Sequence, residues 1–194
     1  MAADSSGHVC VSGWTASVNF PTTAGAFQTD KSSSYDAFVT KYLPDGSNYV
    51  FSTFLGGNDL EGTSSNIGFC FRIAVDGADF IYVTGFTGSN DFPLKNSLYP
   101  FKGGNEIFLT KFPPDGSALM YSTYLGGNYS DHPLGIAVDR AGTAYLTGFT
   151  TSTADFPLKN PLQDFHAGGT RDAFVIKIAD PHTPIGALFM LLED

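Results

Sequence analysis

Positive charge is scarce in this sequence: only 10 of its 194 residues are Lys or Arg, against 19 Asp and Glu, so the net charge is −9. Nucleic-acid binding depends on clustered basic side chains that neutralise phosphates, and this composition argues against such a partner. No run reaches the roughly 18 apolar residues of a membrane-spanning helix. The start, MAADSSGH, lacks the features of a signal peptide, although a mature or excised secreted domain would look the same. We therefore expect neither nucleic-acid binding nor membrane insertion.

Residues that form metal and catalytic motifs are also few. Cys10 and Cys70 occupy non-equivalent places in the repeat described below; a disulfide and two separate thiols both stay open, and the thiols are favoured. No GxSxG, P-loop or paired-cysteine motif occurs. The histidines are His8, His132, His166 and His182. They show neither the HxH nor the HxxxH spacing that would suggest a zinc site. We expect no intrinsic catalysis and no tightly held cofactor.

Aromatic residues and turn formers are plentiful. The chain has 18 Phe, 9 Tyr, 22 Gly and 11 Pro. Aromatic side chains suit the pleated surface of β-strands, and Gly and Pro mark the turns between strands. With 42% hydrophobic and 15% charged residues, the composition is that of a folded protein rather than a disordered one.

One phrase is written three times in the sequence. GFTGSNDFPLKNSL begins at Gly85, GFTTSTADFPLKNPL begins at Gly148, and the looser copy GWTASVNFPTTAGAF begins at Gly13. The segments IAVD, DAFVTK, PDGS and STYLGGN recur in the same order around these phrases. Self-similarity at a fixed period indicates a repeat architecture. Three units fill the chain.

Each unit contains four strand-like runs, which we label A (IAVD), B (YVTGFT), C (FLTKF) and D (YSTYL). Runs B and C alternate with a period of two, the pattern of β-strands. Tight turns such as Pro114-Asp115-Gly116 separate C from D, and short turns such as 139–142 separate A from B. The third D strand is degenerate, and we place it at Ala187–Leu192. Four antiparallel strands joined by hairpins form the blade of a β-propeller.

The order IAVD, YVTGFT, DFP, DAFVTK, PDGS, YSTYLGG resembles the bacterial β-propeller repeat family abbreviated SBBP. We therefore expect an all-β propeller of three four-stranded antiparallel blades, at about 1–57, 71–127 and 134–194, with the A strands innermost. The resemblance implies a secreted or cell-surface protein and no single activity, and it transfers no catalytic residues.

The long B–C and D–A loops leave the same end of every blade, at 88–105, 151–171, 58–70 and 128–133, and are where function is expected. Trp14 is a candidate sugar platform, although it occupies the slot of Phe86 and Phe149, where core packing is favoured. Asp91 and Asp155, with Asp36 and Asp172 nearby in the repeat, are candidate calcium ligands; turn capping is the favoured alternative. The repeated Phe92 and Phe156 are predicted to plug the gaps between blades.

Three classes of function stay open: a non-enzymatic binding or assembly module for a glycan or protein, an enzyme with its site on the loop face, and a structural spacer. Three blades cannot close a ring of ordinary geometry, and an open arc would expose two apolar blade faces. We therefore predict a homodimer that forms one six-bladed propeller. The alternative is that the missing blades belong to a longer chain.

Overall fold

The structure, a computed structural model, describes residues 1–62, 71–159, 161–163, 165, 166 and 168–179, together with the backbone of 188–192. These residues form strands and loops, with no helix among them, and hence none that could cross a membrane. The strands pair into three separate four-stranded antiparallel sheets. The prediction of an all-β fold is confirmed.

Sheet 1 is a simple meander in which each strand pairs with the next along the chain. Its strands are β1 (Ala2–Ala3), β2 (Val9–Thr15), β3 (Asp36–Tyr42) and β4 (Tyr49–Leu55). The turn between β3 and β4 is closed by the N–H of Gly46, which donates to the carbonyl of Leu43 at 2.9 Å. Gly46 has φ +69°, a left-handed conformation that glycine adopts without steric cost.

Sheet 2 repeats this meander with the same register. Its strands are β5 (Arg72–Val75), β6 (Ile81–Thr87), β7 (Glu106–Phe112) and β8 (Tyr121–Leu125). Ile81 pairs with Phe112 in this sheet as Val9 pairs with Tyr42 in sheet 1. The sequence repeat is therefore a repeat of strand register as well.

Sheet 3 completes the series. Its strands are β9 (Asp131–Val138), β10 (Ala144–Thr150), β11 (Asp172–Ile178) and β12 (Leu188–Leu192). Strand β12 pairs antiparallel with β11, and Leu192 lies opposite Ala173. The degenerate fourth strand predicted at Ala187–Leu192 is thus present from Leu188, while Ala187 lies outside the described residues.

Two apolar cores hold the sheets together face to face. One lies between sheets 1 and 2; the other lies between sheets 2 and 3 and includes Leu109, Leu146 and Phe174. The first strands of neighbouring sheets approach one another, β1 to β5 and β5 to β9, which agrees with the prediction that A strands lie innermost. Both faces of sheet 2 are therefore buried.

The repeated phenylalanines differ in burial. Phe86, Phe92 and Phe156 are buried, as predicted. Phe149 is only half-buried, so its assignment to the core was wrong. It lies on the face of sheet 3 that is turned away from sheet 2, where it stacks on His132 with 4.9 Å between ring centroids. The equivalent Phe86 is covered because sheet 3 follows sheet 2.

Cys10 lies on β2 in the core between sheets 1 and 2. Burial raises the pKa of its thiol to about 11, so the reactive thiolate is scarce at neutral pH. Cys70 lies outside the described residues.

Candidate functional site

Two long loops from different sheets meet at the junction between sheets 1 and 2. Asp91, in the loop after β6, accepts a hydrogen bond of 2.9 Å from the backbone N–H of Asn58, in the loop after β4. Its second carboxylate oxygen accepts from the Asn58 side-chain amide. Asp91 thus ties the two loops together. This is a structural role, similar to the turn capping that was the favoured alternative to calcium binding.

The same two loops form an open pocket of about 270 Å³, which we call the junction pocket. It is lined by Asn58, Asp59, Gly88, Ser89, Asn90, Asp91 and Phe101. Carboxylate, amide and hydroxyl groups thus lie beside one aromatic ring. Convergent polar groups next to an apolar wall are the usual composition of a small-molecule site, although the volume of this pocket lies slightly below the usual range of about 300–1,000 Å³.

Beneath the junction pocket, Glu61 is fully buried. Its Oε1 accepts hydrogen bonds from Ser89 Oγ at 2.6 Å, Thr87 Oγ1 at 3.1 Å and the Gly57 N–H at 3.2 Å. A carboxyl group loses its hydration in such a place and needs these donors to compensate. Ser89 therefore lines the junction pocket and also donates a hydrogen bond to the buried Glu61.

Burial raises the pKa of Glu61 to about 8, and the nearby carboxylate of Asp36 adds to this effect. Both carboxyl groups crowd the Cα of Gly56, where an added Cβ would lie 2.9 Å from Glu61 Oε2 and 3.0 Å from Asp36 Cγ. Two buried carboxyl groups this close disfavour a second negative charge. Glu61 is therefore mostly protonated at neutral pH.

The junction between sheets 2 and 3 repeats this arrangement with Asp131 in place of Glu61. Asp131 is buried and accepts hydrogen bonds from the Gly127 N–H at 2.7 Å, from Ser152 Oγ at 3.2 Å and from Thr150. Desolvation by burial raises its pKa to about 6. We call the two arrangements, Glu61 with Ser89 and Asp131 with Ser152, the acid clasps.

Glu106 takes the place of Asp36 beside the second clasp. It is fully buried, and its Oε1 accepts hydrogen bonds from the backbone N–H groups of Lys102 and of Gly103, the latter at 3.1 Å. Its Oε2 has no hydrogen-bond partner, and burial, with the charge of Asp131 as a smaller cause, raises its pKa to about 7. The carboxyl pair of the first junction is therefore present at the second.

Asp155 lies at the second junction, in a place equivalent to Asp91. It has φ +63°, and its backbone carbonyl accepts a hydrogen bond from Lys102 Nζ. The pocket that it lines is only about 60 Å³, with the side chains of Phe165 and His166 among its walls. The junction pocket of sheets 1 and 2 is the roomier of the two.

Trp14 lies on β2, where it packs against the core between sheets 1 and 2 and meets Tyr35 edge-on, with 5.0 Å between ring centroids. Asp91 and Asp155 belong to different junctions. The structure therefore does not bring the three sequence-predicted site residues into one site, and only Asp91 lines the larger pocket.

Within the described ranges, no group of three or more His, Cys, Asp or Glu side chains is arranged to hold a metal ion. Each acid clasp has one further carboxyl group beside it, that of Asp36 or Glu106, which makes two at each junction. Calcium prefers six to eight oxygen ligands, so calcium binding at Asp91 or Asp155 stays a prediction.

The buried acids of the clasps were not predicted from the sequence, although a repeated pattern marks their positions. LGGNDLE and LGGNYSD place an acid at the same distance after the repeated LGGN, and these acids are Glu61 and Asp131. A loop acid is normally exposed. The spacing alone therefore carried no hint of burial.

The fold defines a repeat protein of antiparallel sheets stacked face to face. A family model described as a beta-propeller repeat, SBBP, matches residues 50–93 and 121–157. These two matched segments confirm the resemblance to the SBBP repeat noted in the sequence. No curated protein matches the chain.

Each matched segment runs from the fourth strand of one sheet, through the acid clasp, to the DFP phrase after the second strand of the next sheet. Each matched segment of this chain is therefore centred on the junction between two sheets rather than on one sheet. The repeated residues of the loops are those that fasten one sheet to the next.

Proposed function

We propose that this chain is a non-enzymatic binding module of a secreted or surface-attached protein, and that it binds a carbohydrate through the junction pocket. The observation that carries this proposal is the composition of the pocket. Asn58, Asp59 and Asn90 offer exposed donors and acceptors beside the ring of Phe101. Sugars present hydroxyl groups on one side and apolar C–H faces on another, which matches this mixture of polar groups and an aromatic ring.

Rigid support for the pocket favours a binding role. The floor residue Ser89 is held by Glu61, and Phe101 packs on Tyr124 with 5.3 Å between ring centroids. Loops that are fastened in this way lose little conformational entropy when a ligand binds, because their ordering has already been achieved by folding. A spacer would have no need of an open polar pocket on this support.

An enzyme is the second candidate, since strongly perturbed pKa values often mark active sites. The raised pKa values of Glu61, Glu106 and Asp131 are its best support. However, these carboxyl groups are buried and line neither of the two junction pockets described above. An acid or base must reach the proton that it transfers, so we favour binding over catalysis.

A glycan array, followed by calorimetric titration of the best-bound sugar, tests the proposal. Asn90→Ala removes an exposed amide from the pocket and should weaken binding of that sugar at least about tenfold, equivalent to about 1.4 kcal/mol. The matched control is Thr153→Ala, which alters the wall of the smaller pocket and should leave the affinity unchanged.

Two results would contradict the carbohydrate proposal. The first is that the wild-type protein binds no glycan on the array, which would favour the spacer function. The second is that a bound glycan is lost equally in Asn90→Ala and Thr153→Ala, which would locate the binding elsewhere. Titration with calcium alone, monitored by the same calorimeter, separately tests the calcium prediction for Asp91 and Asp155.

A further inference from the structure

The middle sheet and the two end sheets differ in how their faces are covered. Both faces of sheet 2 pack against neighbours, whereas sheets 1 and 3 each have one neighbour among the described residues. The outer face of sheet 3 includes Tyr145, Thr147, Phe149, Val175 and Lys177. The outer face of sheet 1 includes Val9, Val11, Phe38 and Tyr42, together with Thr40 and Phe54, which are already buried.

On the outer face of sheet 3, Thr147 is exposed and the other four side chains are half-buried. Their equivalents in sheet 2, at the same register positions, are all buried beneath sheet 3. These equivalents are Tyr82, Thr84, Phe86, Leu109 and Lys111. The residue types are nearly the same at both places, so the outer face of sheet 3 has the chemistry of a junction without the covering sheet.

The outer face of sheet 1 shows the complementary difference. Val9, Val11 and Phe38 are half-buried, and Tyr42 is 38% exposed. Their equivalents in sheet 2 are fully buried against sheet 1. They are Ile81, Val83, Phe108 and Phe112. The two outer faces are therefore the two halves of one kind of junction.

Polar contacts across the existing junctions fix how two sheets align. The hydroxyl of Tyr82 shares its hydrogen between Asp76 Oδ2 of its own sheet, at 3.0 Å, and the carbonyl of Gly142 in the next sheet, at 3.1 Å. Lys41 Nζ donates to the carbonyl of Pro114, also in the next sheet, at 3.1 Å. Both carbonyl acceptors lie in the short turns at the end of the sheet opposite the long loops.

The outer faces carry the same donors and acceptors. Tyr145 and Lys177 lie at the register positions of Tyr82 and Lys111. Gly7 closes the same type of turn as Gly142, with φ +83° against +80°. Pro44 holds the place of Pro114 in the repeated Pro-Asp-Gly turn.

We propose that the outer face of sheet 3 docks on the outer face of sheet 1 of a second copy of this chain, in a head-to-tail manner. In this junction the hydroxyl of Tyr145 donates to the Gly7 carbonyl of the second copy, and Lys177 Nζ donates to its Pro44 carbonyl. The same junction forms a second time, between sheet 3 of the second copy and sheet 1 of the first. Two copies therefore form a ring of six sheets, within the four to eight blades of closed propellers.

A second copy is the occupant that the observations favour, because the chain itself supplies both halves of the junction. Heterologous contacts of this kind close when the rotation per copy fits, and half a turn for three sheets fits a six-sheet ring. The proposal is independent of the carbohydrate site, which lies at an internal junction of one copy.

Sedimentation velocity of the wild-type protein, with two single variants and their mixture, tests the docking. The wild type should sediment at about twice the chain mass of 20.7 kDa. Val175→Asp on sheet 3 and Val11→Asp on sheet 1 each place a charge on one outer face, and each variant alone should dissociate at least tenfold more readily. An equal mixture of the two should recover dimer, because one undamaged junction is then available.

The control is Leu98→Asp, an exposed residue in the loop between β6 and β7 of the middle sheet, which should remain dimeric. Tyr145→Phe removes only the hydroxyl group and provides a second test if either charged variant fails to fold; it should raise the dissociation constant severalfold. A wild-type protein that stays monomeric at every concentration would overturn the proposal. So would a mixture that forms no more dimer than either variant alone, since that result points to contact between identical faces.

Discussion

Ser89 donates a hydrogen bond of 2.6 Å to the buried carboxyl group of Glu61, and this bond joins the loops of two different sheets. The same relationship recurs between Ser152 and Asp131 at 3.2 Å. Sheets in this chain are therefore fastened at one end by an acid clasp, in addition to the apolar cores between them. Because each clasp buries a carboxyl group, its contribution to stability depends on protonation and on complete hydrogen bonding.

Glu61→Gln should preserve the stability of the protein better than Glu61→Ala. Glutamine is neutral, as Glu61 mostly is at neutral pH, and it keeps an oxygen for Ser89, Thr87 and Gly57. We expect Glu61→Gln to change the free energy of unfolding by less than about 1 kcal/mol, and Glu61→Ala to lower it by about 1–3 kcal/mol because buried donors lose their acceptor. Urea unfolding at pH 7 measures both, and equal losses would show that the hydrogen bonds of the clasp contribute nothing.

The protein should become less stable as the pH rises from 6.5 to 9. The pKa values of Glu61 and Glu106 in the folded state are about 8 and 7, above the ordinary value of 4.5. The folded state therefore holds these protons more tightly, and the stabilisation present below pH 4.5 is lost as the pH rises through the folded pKa values. His132, whose pKa burial lowers to about 4, is neutral in both states throughout most of this range.

The urea midpoint, measured at half-unit steps of pH, checks this prediction. Glu61→Gln removes one of the titrating groups, and its profile should therefore be flatter around pH 8 than that of the wild type. A wild-type midpoint that increases toward pH 9 would contradict the raised pKa values.

Gly57 should not tolerate a side chain, whereas Gly88 in the facing loop should. A Cβ added at Gly57 would lie 2.5 Å from Asp91 Oδ1, 2.6 Å from Ser89 Cβ and 3.0 Å from a backbone nitrogen. At Gly88 the nearest atom, in Asp59, would be 3.4 Å away, an ordinary contact. We expect Gly57→Ala to lower the free energy of unfolding by about 1–3 kcal/mol, and Gly88→Ala to change it by less than about 0.5 kcal/mol. Thermal and urea unfolding of this pair measure how closely the loops pack; similar losses would argue against the junction geometry.

Phe92→Ala should be far more damaging than Phe165→Ala. Phe92 is 2% exposed and stacks on Phe108 with 4.5 Å between ring centroids, while Phe165 is 59% exposed. Truncation of a buried phenylalanine costs about 3–5 kcal/mol, through lost burial and the cavity left behind. Phe165→Ala should cost less than about 1 kcal/mol. If Phe92→Ala also costs less than 1 kcal/mol, the DFP phrase does not seal the junction.

The sequence by itself determined the strands and their hairpins, because these depend on local chemistry. The alternation of Phe108 and Thr110 specifies a strand, and Pro-Asp-Gly specifies the turn that follows it. Repetition then fixed the number of such units, and the degenerate strand β12 could be placed because its neighbours define where the unit must end. The choice of DFP as a packing phrase was also correct for Phe92 and Phe156.

The tertiary structure alone decided which loop residues meet and which faces are covered. Asn58 and Asp91 are 33 residues apart, and no local pattern shows that they bond. Glu61 and Asp131 read as surface acids until a neighbouring sheet takes them out of water. Phe86 and Phe149 share one place in the repeat, yet only Phe86 is covered. Burial of these side chains depends on whether a neighbouring sheet covers the face on which they lie. The residues next to them in the sequence do not show this.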